Sequence, residues 1–250
     1  MTQQRWALVT GASSGLGAEY VRALARAGHN IVLVARDRDR LQALGDQVER
    51  DFSVATEVLP ADLHAPRDVA SVATRLADAR RPVRVLVNNA GYGIGEDLAT
   101  SDVGEERNHL AIHVTVPLEL TKAVLPGMLE RAEGRVVFVS SVAGYLARGS
   151  YSAHKAWGLS MARSLNATYK SRGVHVSAVA PGFTRTEFHQ RMSMNISMYP
   201  KFLWLQAPYV VERSLRAVEA GRAVTIPSLR YKTLVAVAAI LPKRLHQAGT

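Results

Sequence analysis

The sequence predicts an α/β fold: one doubly wound parallel sheet of about seven strands with helices on both faces. Short β-rich apolar runs alternate with longer segments of helical periodicity, which is the pattern of repeated βαβ units. A glycine-rich turn, residues 11–17, follows the first apolar run directly. The 250 residues are 48% hydrophobic and 21% charged, which suits one domain with an extensive core. Residues 1–250 are therefore predicted to form a single domain.

Seven apolar runs are the predicted strands. They cover residues 7–10, 31–35, 54–59, 83–87, 136–140, 174–180 and 223–226. The segments between them, such as 15–27 and 39–50, repeat apolar residues at a spacing of three to four. That spacing predicts amphipathic helices that cover the sheet.

Composition excludes several kinds of site. The chain has no cysteine, so it forms neither a disulfide nor a thiolate nucleophile. The first residues run almost directly into an apolar strand without the features of a signal peptide, so we expect a cytoplasmic protein. The formal net charge is +10, and residues 191–250 carry nine bases against two acids. Such an excess of positive charge favours anionic partners, although a solvated basic surface that only confers solubility explains the charge equally well.

The turn after the first strand predicts a phosphate-binding site. It reads Thr10-Gly11-Ala12-Ser13-Ser14-Gly15-Leu16-Gly17 and leads into a helix. Glycines let the backbone turn tightly and approach a pyrophosphate, which rests against the amides and positive dipole of the helix N-terminus. The spacing is GxxxGxG rather than the commoner GxGxxG, but its place between the first strand and the first helix is where Rossmann-like sheets bind nucleotides.

The end of the second strand predicts which dinucleotide binds. A guanidinium here pairs with the 2′-phosphate of NADP, whereas a carboxylate accepts hydrogen bonds from the ribose of NAD. Arg36 follows the strand, with Arg38 and Arg40 close behind, so NADP(H) is the expected cofactor. Asp37 is the alternative, because a shift of one residue would put it at the ribose position.

Tyr151 and Lys155 are four residues apart on a predicted helix, so both project from one face. An ammonium beside a phenol lowers the pKa of the phenol towards neutrality, which makes tyrosine a usable acid or base. Alone, this pattern is very common on exposed helix faces, and the surrounding sequence decides its meaning.

From residue 5 to about residue 190 the chain resembles the short-chain dehydrogenase/reductase family, with six motifs in register. The motifs are Thr10 to Gly17, Asp62-Leu63, Asn88-Asn89-Ala90-Gly91, Ser140-Ser141, Tyr151 to Lys155, and Pro181-Gly182 leading to Thr186. The resemblance implies an NADP-preferring reductase of the carbonyl or ketoacyl type. It also implies a homodimer or homotetramer.

The resemblance assigns roles by position. Tyr151 would exchange a proton with the substrate oxygen, Lys155 would hold the nicotinamide ribose, and Ser141 would stabilise the developing negative charge. The remaining positions would contact the cofactor. Asp62 and Leu63 would contact the adenine, and Asn89, Ala90 and Gly91 would form the wall beside the cofactor. The carboxamide would be bound by Pro181, Gly182, Thr184 and Thr186.

Two departures from the family pattern stand out. His113 occupies the position of an asparagine whose backbone holds a water linked to the lysine. Its backbone could do the same and its ring could join the proton relay, so it is counted among the candidate catalytic residues, although a tolerated substitution is the simpler explanation. Only nine residues separate Ser141 from Tyr151, which leaves open whether Ser140 or Ser141 faces the site. No metal is expected, because the pair His109 and His113 has no evident third ligand.

Two C-terminal segments bear on the substrate. Residues 187–207 combine methionines and aromatics and correspond to the family's substrate loop, or pack as a helix pair on the core or a subunit partner. Residues 228–250 form a basic and apolar extension that packs on the body or an oligomer interface, with contact to a membrane surface as the weaker alternative.

The expected function is hydride transfer between NADP(H) and a hydrophobic ketone or secondary alcohol, such as a 3-oxoacyl, steroid-like or lipid-derived molecule. The alternative is a non-catalytic NADP-binding sensor or scaffold on the same fold. Nucleic-acid binding is not expected, since the arginines are dispersed and no recognition motif occurs.

Overall fold

A parallel sheet of seven strands forms the centre of the computed structural model, which describes residues 5–94, 97–186 and 200–240. The strands are β1 (Trp6–Thr10), β2 (Asn30–Ala35), β3 (Thr56–Pro60), β4 (Val83–Asn88), β5 (Gly134–Val139), β6 (Val174–Val179) and β9 (Val224–Thr225). Their order across the sheet is β3-β2-β1-β4-β5-β6-β9, and every pairing is parallel. All seven predicted strands are present, and the predicted fold class is confirmed.

Helices cover both faces of this sheet. They are α1 (Gly15–Arg26), α2 (Arg38–Phe52), α3 (Pro66–Leu76), α4 (Val103–Leu110), α5 (Val116–Glu130), α6 (Gly149–Tyr169), α7 (Ala207–Glu219) and α8 (Leu229–Ile240). A π-helical turn, Ala111–Thr115, joins α4 to α5. The helices follow from their sequence pattern, because buried positions recur every three to four residues, as in α1 and α2.

Alternate residues of each strand separate the core into two halves. In β1, Trp6 and Leu8 belong to the cluster under α3, α5 and α6, whereas Ala7 and Val9 belong to the cluster under α1, α2 and α7. Successive side chains of a strand point to opposite faces, so a sheet covered on both sides needs apolar residues at nearly every position. This is why the strand sequences read as continuous apolar runs.

The strand order places the candidate site. The chain runs outward from β1 through β2 to β3, then returns to β4 on the other side of β1. The loops after β1 and β4 therefore diverge and leave a crevice at the carboxyl end of the sheet, where open α/β sheets bind ligands.

Beyond β6 the chain contributes a small second sheet and the last helix. Strand β7 (Thr184–Arg185) pairs in parallel with β8 (Leu205–Gln206). Tyr231 on α8 joins these parts, since its hydroxyl accepts from the Phe183 amide at 3.0 Å and donates to the Leu203 carbonyl at 2.9 Å. Of the two predicted C-terminal segments, residues 187–199 and 241–250 lie outside the described residues. No helix in the described ranges has the length and apolar character needed to cross a bilayer.

Candidate active site

The glycine turn has the backbone geometry that its sequence predicts. Gly11 and Gly15 have φ angles of +64° and +54°, which L side chains rarely adopt. A Cβ on Gly17 would lie 2.0 Å from the Gly11 carbonyl oxygen and 2.6 Å from Asn89 Nδ2, so this position tolerates no side chain. The first turn of α1 contains no acidic residue, which leaves the positive end of the helix free of competing carboxylates. Ser13 and Leu16 lie within the same partly buried turn.

Thr10 and Asn89 join the turn to the end of β4. The Thr10 hydroxyl accepts hydrogen bonds from the amides of Asn89 and Ala90, both at 3.0 Å, and donates to the Val87 carbonyl at 3.3 Å. In return, Asn89 Nδ2 donates to the Thr10 carbonyl at 2.8 Å. These reciprocal bonds hold the two walls of the crevice at a set separation.

Arg36 lies immediately after β2, at the carboxyl edge of the sheet, and is exposed. Asp37, the alternative ribose ligand, is the N-cap of α2 and accepts from the Arg40 amide at 3.0 Å. That capping role explains the presence of Asp37 without a ligand. Its carboxylate also lies 3.6 Å from Arg40 Nε.

The remaining predicted contact residues lie around the same crevice. After β3, the Asp62 carboxylate accepts from the His64 amide at 3.1 Å, and Leu63 is buried. After β6, the Thr184 hydroxyl donates to the Gly182 carbonyl at 3.0 Å. Thr186 faces the glycine turn, since a Cβ on Gly15 would lie 3.2 Å from Thr186 Cβ. The segment that begins at Pro181 therefore reaches back to the glycine turn.

Tertiary contacts distinguish the two serines that follow β5. Ser140 is buried and its hydroxyl donates to the Lys155 carbonyl at 2.7 Å, so it ties α6 to the sheet. Ser141 instead makes a side-chain hydrogen bond with Tyr151, and its Oγ also accepts from the Ala143 amide at 3.1 Å. Of the two, Ser141 faces the tyrosine.

Tyr151 and Lys155 lie side by side on α6, and the Lys155 ammonium nitrogen is 5.6 Å from the centre of the tyrosine ring. The expected lowering of the tyrosine pKa is not found. Burial raises the pKa of Tyr151 to about 12, and the hydrogen bond from Ser141 opposes this only in part. Burial also lowers the pKa of Lys155 to about 7, so loss of solvation outweighs the attraction between the two groups. The Lys155 ammonium donates to the Val139 carbonyl at 2.9 Å.

His113 lies within the π-helical turn and points towards the end of β4. Its Nε2 is 2.7 Å from the Tyr92 carbonyl oxygen, and its ring lies against Gly91, where a Cβ would be 2.3 Å from His113 Cε1. His109 Nε2 reaches the same carbonyl at 3.1 Å, so the two rings share an acceptor. Within the described residues, no group of three histidine, aspartate or glutamate side chains is arranged to hold a metal ion.

Sequence reasoning did not include three of the residues gathered here: Tyr92, His109 as part of a hydrogen-bond network, and His154. His154 Nδ1 lies 2.9 Å from His109 Nδ1. The available signal was the histidine between Tyr151 and Lys155, together with the i, i+4 pair of His109 on α4 and His113 in the π-helical turn. Both are ordinary patterns, and only the packing of α4 on α6 brings them together.

Comparison with known proteins identifies the family. The model of the short chain dehydrogenase family matches residues 5–196. The chain is 32% identical over 189 residues to a very-long-chain 3-oxoacyl-CoA reductase of Anas platyrhynchos, which covers 73% of this chain and 60% of that protein. The chain belongs to the short chain dehydrogenase family.

Two solved structures are similar over nearly the whole chain. A short-chain dehydrogenase from Sphingobium yanoikuyae in complex with NADPH is 32% identical, has a TM-score of 0.85 and is matched over 98% of both chains. A bulky-bulky ketone specific alcohol dehydrogenase from Comamonas testosteroni is 30% identical, with a TM-score of 0.82 over 100% of this chain and 98% of that one. The match spans only 57% to 64% of the length of the first curated relatives.

Proposed function

We propose that this chain is an NADP(H)-dependent oxidoreductase that interconverts a ketone and a secondary alcohol. The observation that carries the proposal is the hydrogen bond between Ser141 and Tyr151, with Lys155 on the same helix face, at the edge of the sheet where the glycine turn opens. Carbonyl reduction needs two hydroxyl groups that donate to the substrate oxygen and a buried amine close to them, all beside a turn that binds the dinucleotide.

Tyr151 and Ser141 have separate roles at the substrate oxygen. Tyr151 gives its proton to the carbonyl oxygen during reduction and takes it back during oxidation. Ser141 donates a hydrogen bond to the same oxygen and so stabilises the charge that develops there. Because burial raises the pKa of Tyr151 to about 12, the phenol keeps its proton at neutral pH and is ready to act as an acid. The bound nicotinamide would supply or accept the hydride.

The chain's own residues fit a dinucleotide with a 2′-phosphate. The tight turn from Gly11 to Gly17 and the acid-free start of α1 suit a pyrophosphate. Arg36, exposed directly after β2, would pair with the 2′-phosphate, and Asp62 and Leu63 would border the adenine. The related Sphingobium structure is described as a complex with NADPH, which supports this preference.

We propose a hydrophobic substrate, such as a 3-oxoacyl, steroid-like or lipid-derived carbonyl compound. Aromatic side chains occur on two sides of the crevice. Tyr92 lies beside His109 and His113, whose rings are each 5.8 Å from the ring of Tyr151. Phe183, in the segment after β6, lies with its ring 5.4 Å from that of Trp204. The names of two similar proteins, a very-long-chain 3-oxoacyl-CoA reductase and a bulky-bulky ketone specific alcohol dehydrogenase, point the same way.

A homodimer or homotetramer is part of the proposal. A groove of about 610 Å³ between α5 and α6 is lined by Leu118, Leu125, Met161, Leu165 and Tyr169 among others. Leu118 is 45% exposed, and an apolar groove of this kind is typical of a surface covered by a second copy. Light scattering of the wild type and of Leu165→Glu tests this, and a monomeric wild type contradicts it.

Fluorescence titration with NADPH and NADH, followed by turnover with a panel of ketones, tests the function. We expect preference for NADPH that is lost in Arg36→Ala, and reduction of bulky apolar ketones that is lost in Tyr151→Phe. Failure to bind either cofactor would contradict the whole proposal. Binding without turnover of any ketone would instead favour the alternative, a non-catalytic NADP-binding protein.

A further inference from the structure

A network of three histidines lies between the buried lysine and the surface. His109 is fully buried, His113 is 7% exposed and His154 is half-buried. The rings of His109 and His113 each lie 5.8 Å from the ring of Tyr151, centre to centre. The network therefore adjoins the proposed catalytic residues but contains none of them except His113, which was singled out from the sequence.

The hydrogen bonds determine which nitrogen of each ring carries a proton. The Tyr92 carbonyl can only accept, so Nε2 of both His109 and His113 must donate to it. Burial lowers the pKa of His109 to about 4, so its ring is neutral at physiological pH and its Nδ1 is bare. His154 Nδ1, 2.9 Å away, must then carry a proton and donate it to His109.

This fixed tautomer leaves Nε2 of His154 as the basic atom of the network. His109 acts on His154 as a carboxylate or carbonyl acts on other functional histidines, by holding one ring nitrogen so that the other is free to accept a proton. Glu106 supports the charged form, because its carboxylate raises the pKa of His154 against the lowering effect of burial. Hydrogen bonds from Ser150 and Ser101 in turn lower the pKa of Glu106 and keep it ionised.

A cavity joins this network to Lys155. It has a volume of about 20 Å³ and is lined by His113, His154, Lys155 and Asn88 among others. A cavity of this size holds one water molecule when polar groups surround it. Asn88 is 6% exposed, and its Oδ1 is buried with no hydrogen-bond partner in the described part of the chain, so an acceptor is available at the cavity wall.

We propose that His154, positioned by His109, carries protons between Lys155 and solvent. During reduction, Tyr151 gives its proton to the substrate oxygen, and one proton must enter from solvent in each turnover. It binds to His154 Nε2, a water in the cavity takes it up and passes a proton to the neutral amine of Lys155, and His154 returns to its Nδ1–H form. The protonated Lys155 is then the source of the proton that Tyr151 has lost. Oxidation runs the same transfers in reverse.

The ionisable groups around His154 favour this exchange. Burial brings the pKa of Lys155 down to about 7, close to the range in which a histidine titrates, and burial also lowers the pKa of His154 below its ordinary value. The ionisable groups that bear on His154 come from each element around it. They are Glu106 and His109 from α4, His113 from the π-helical turn, and Lys155 from α6.

NMR of protein labelled with ¹⁵N histidine tests the positioning without any turnover. We expect His154 as the Nδ1–H tautomer and His109 as the Nε2–H tautomer at neutral pH. In His109→Phe the tautomer of His154 should change, and in Glu106→Gln the pKa of His154 should fall. An Nε2–H tautomer for His154 in the wild type, or no response to His109→Phe, would overturn the proposal.

Turnover tests the proton transfer itself, which rests on the proposed function. In dilute buffer we expect His154→Ala to lower kcat roughly tenfold or more with little change in KM, to gain a solvent isotope effect, and to recover when imidazole is added. His29→Ala, in the turn before β2 at the opposite edge of the sheet, is the matched control and should match the wild type. Wild-type kcat in His154→Ala, or a loss that imidazole does not restore, contradicts the proton role. A wild type without turnover contradicts the proposed function instead, and the tautomers remain measurable.

Discussion

Replacing Gly17 by alanine tests whether close packing of the glycine turn is what shapes the cofactor crevice. The added Cβ would lie 2.0 Å from the Gly11 carbonyl oxygen and 2.6 Å from Asn89 Nδ2. The Gly11 carbonyl belongs to the backbone, so relief of this contact requires the turn itself to move by more than 1 Å, given ordinary carbon contacts of about 3.5 Å. The Asn89 bond to the Thr10 carbonyl would break with it.

The magnitude follows from three contributions. Overpacking of this severity costs about 3 kcal/mol. The lost hydrogen bond costs about 1 kcal/mol, and alanine in a helix returns about 1 kcal/mol. The free energy of unfolding should therefore fall by about 3 kcal/mol, which for a chain of this length lowers Tm by roughly 6–12 °C. Because the turn moves, NADPH affinity should fall by about tenfold or more.

Gly28→Ala, just beyond the other end of α1, is the matched control. Gly28 has a φ of +83°, and a Cβ there would meet nothing within 4 Å. Alanine at this position carries only backbone strain of about 1 kcal/mol, so Tm should fall by roughly 2–4 °C and NADPH binding should not change. Thermal unfolding and fluorescence titration measure both variants. The reasoning is refuted if Gly17→Ala unfolds within about 2 °C of the wild type and binds NADPH equally well.

Other predictions separate roles that lie close together. Ser141→Ala should lower kcat by about 10²–10³-fold with little change in stability. Ser140→Ala should lower the free energy of unfolding by about 1 kcal/mol, because it removes the hydrogen bond to the Lys155 carbonyl that ties α6 to the sheet, and should leave kcat largely unchanged. Kinetics and urea unfolding distinguish the two variants, and the reverse pattern would contradict the assignment. Arg36→Ala should weaken NADPH binding by about 10–100-fold and leave NADH binding unchanged, and calorimetry in which both cofactors weaken equally would exclude a 2′-phosphate contact. The folded pKa of Lys155, about 7, lies below its ordinary value of 10.5, so between these pH values the unfolded chain binds the extra proton and wild-type stability rises with pH. Lys155→Met should lack this rise in the free energy of unfolding, which amounts to at most about 5 kcal/mol, and should be more stable than the wild type near pH 6. Urea unfolding at pH 6 and pH 9 measures the difference. Equal pH dependence in both proteins would show that burial does not shift the pKa of the amine.

Local pattern was enough to predict the elements of the fold. Apolar runs such as residues 31–35 are buried because both faces of the sheet are covered, and their β-branched residues favour strands. The third strand begins at Thr56 rather than at residue 54, since Ser53 has a φ of 54° as the C-cap of α2 and the Ala55 amide bonds to the Asn30 side chain. Such a boundary depends on a residue 25 positions away, which periodicity cannot reveal.

The sequence by itself determined the alternation of strands and helices, the glycine turn, and the shared face of Tyr151 and Lys155, because each depends on residues a few positions apart. Only the tertiary structure decided which serine meets the tyrosine, since Ser140 and Ser141 differ in contacts made across 10 to 15 residues. It also decided that burial raises the pKa of the tyrosine and lowers that of the lysine. The pKa values depend on how far the neighbouring elements exclude water from each group, so they are properties of the assembled fold. The same holds for the histidine contacts, which the packing of α4 on α6 creates.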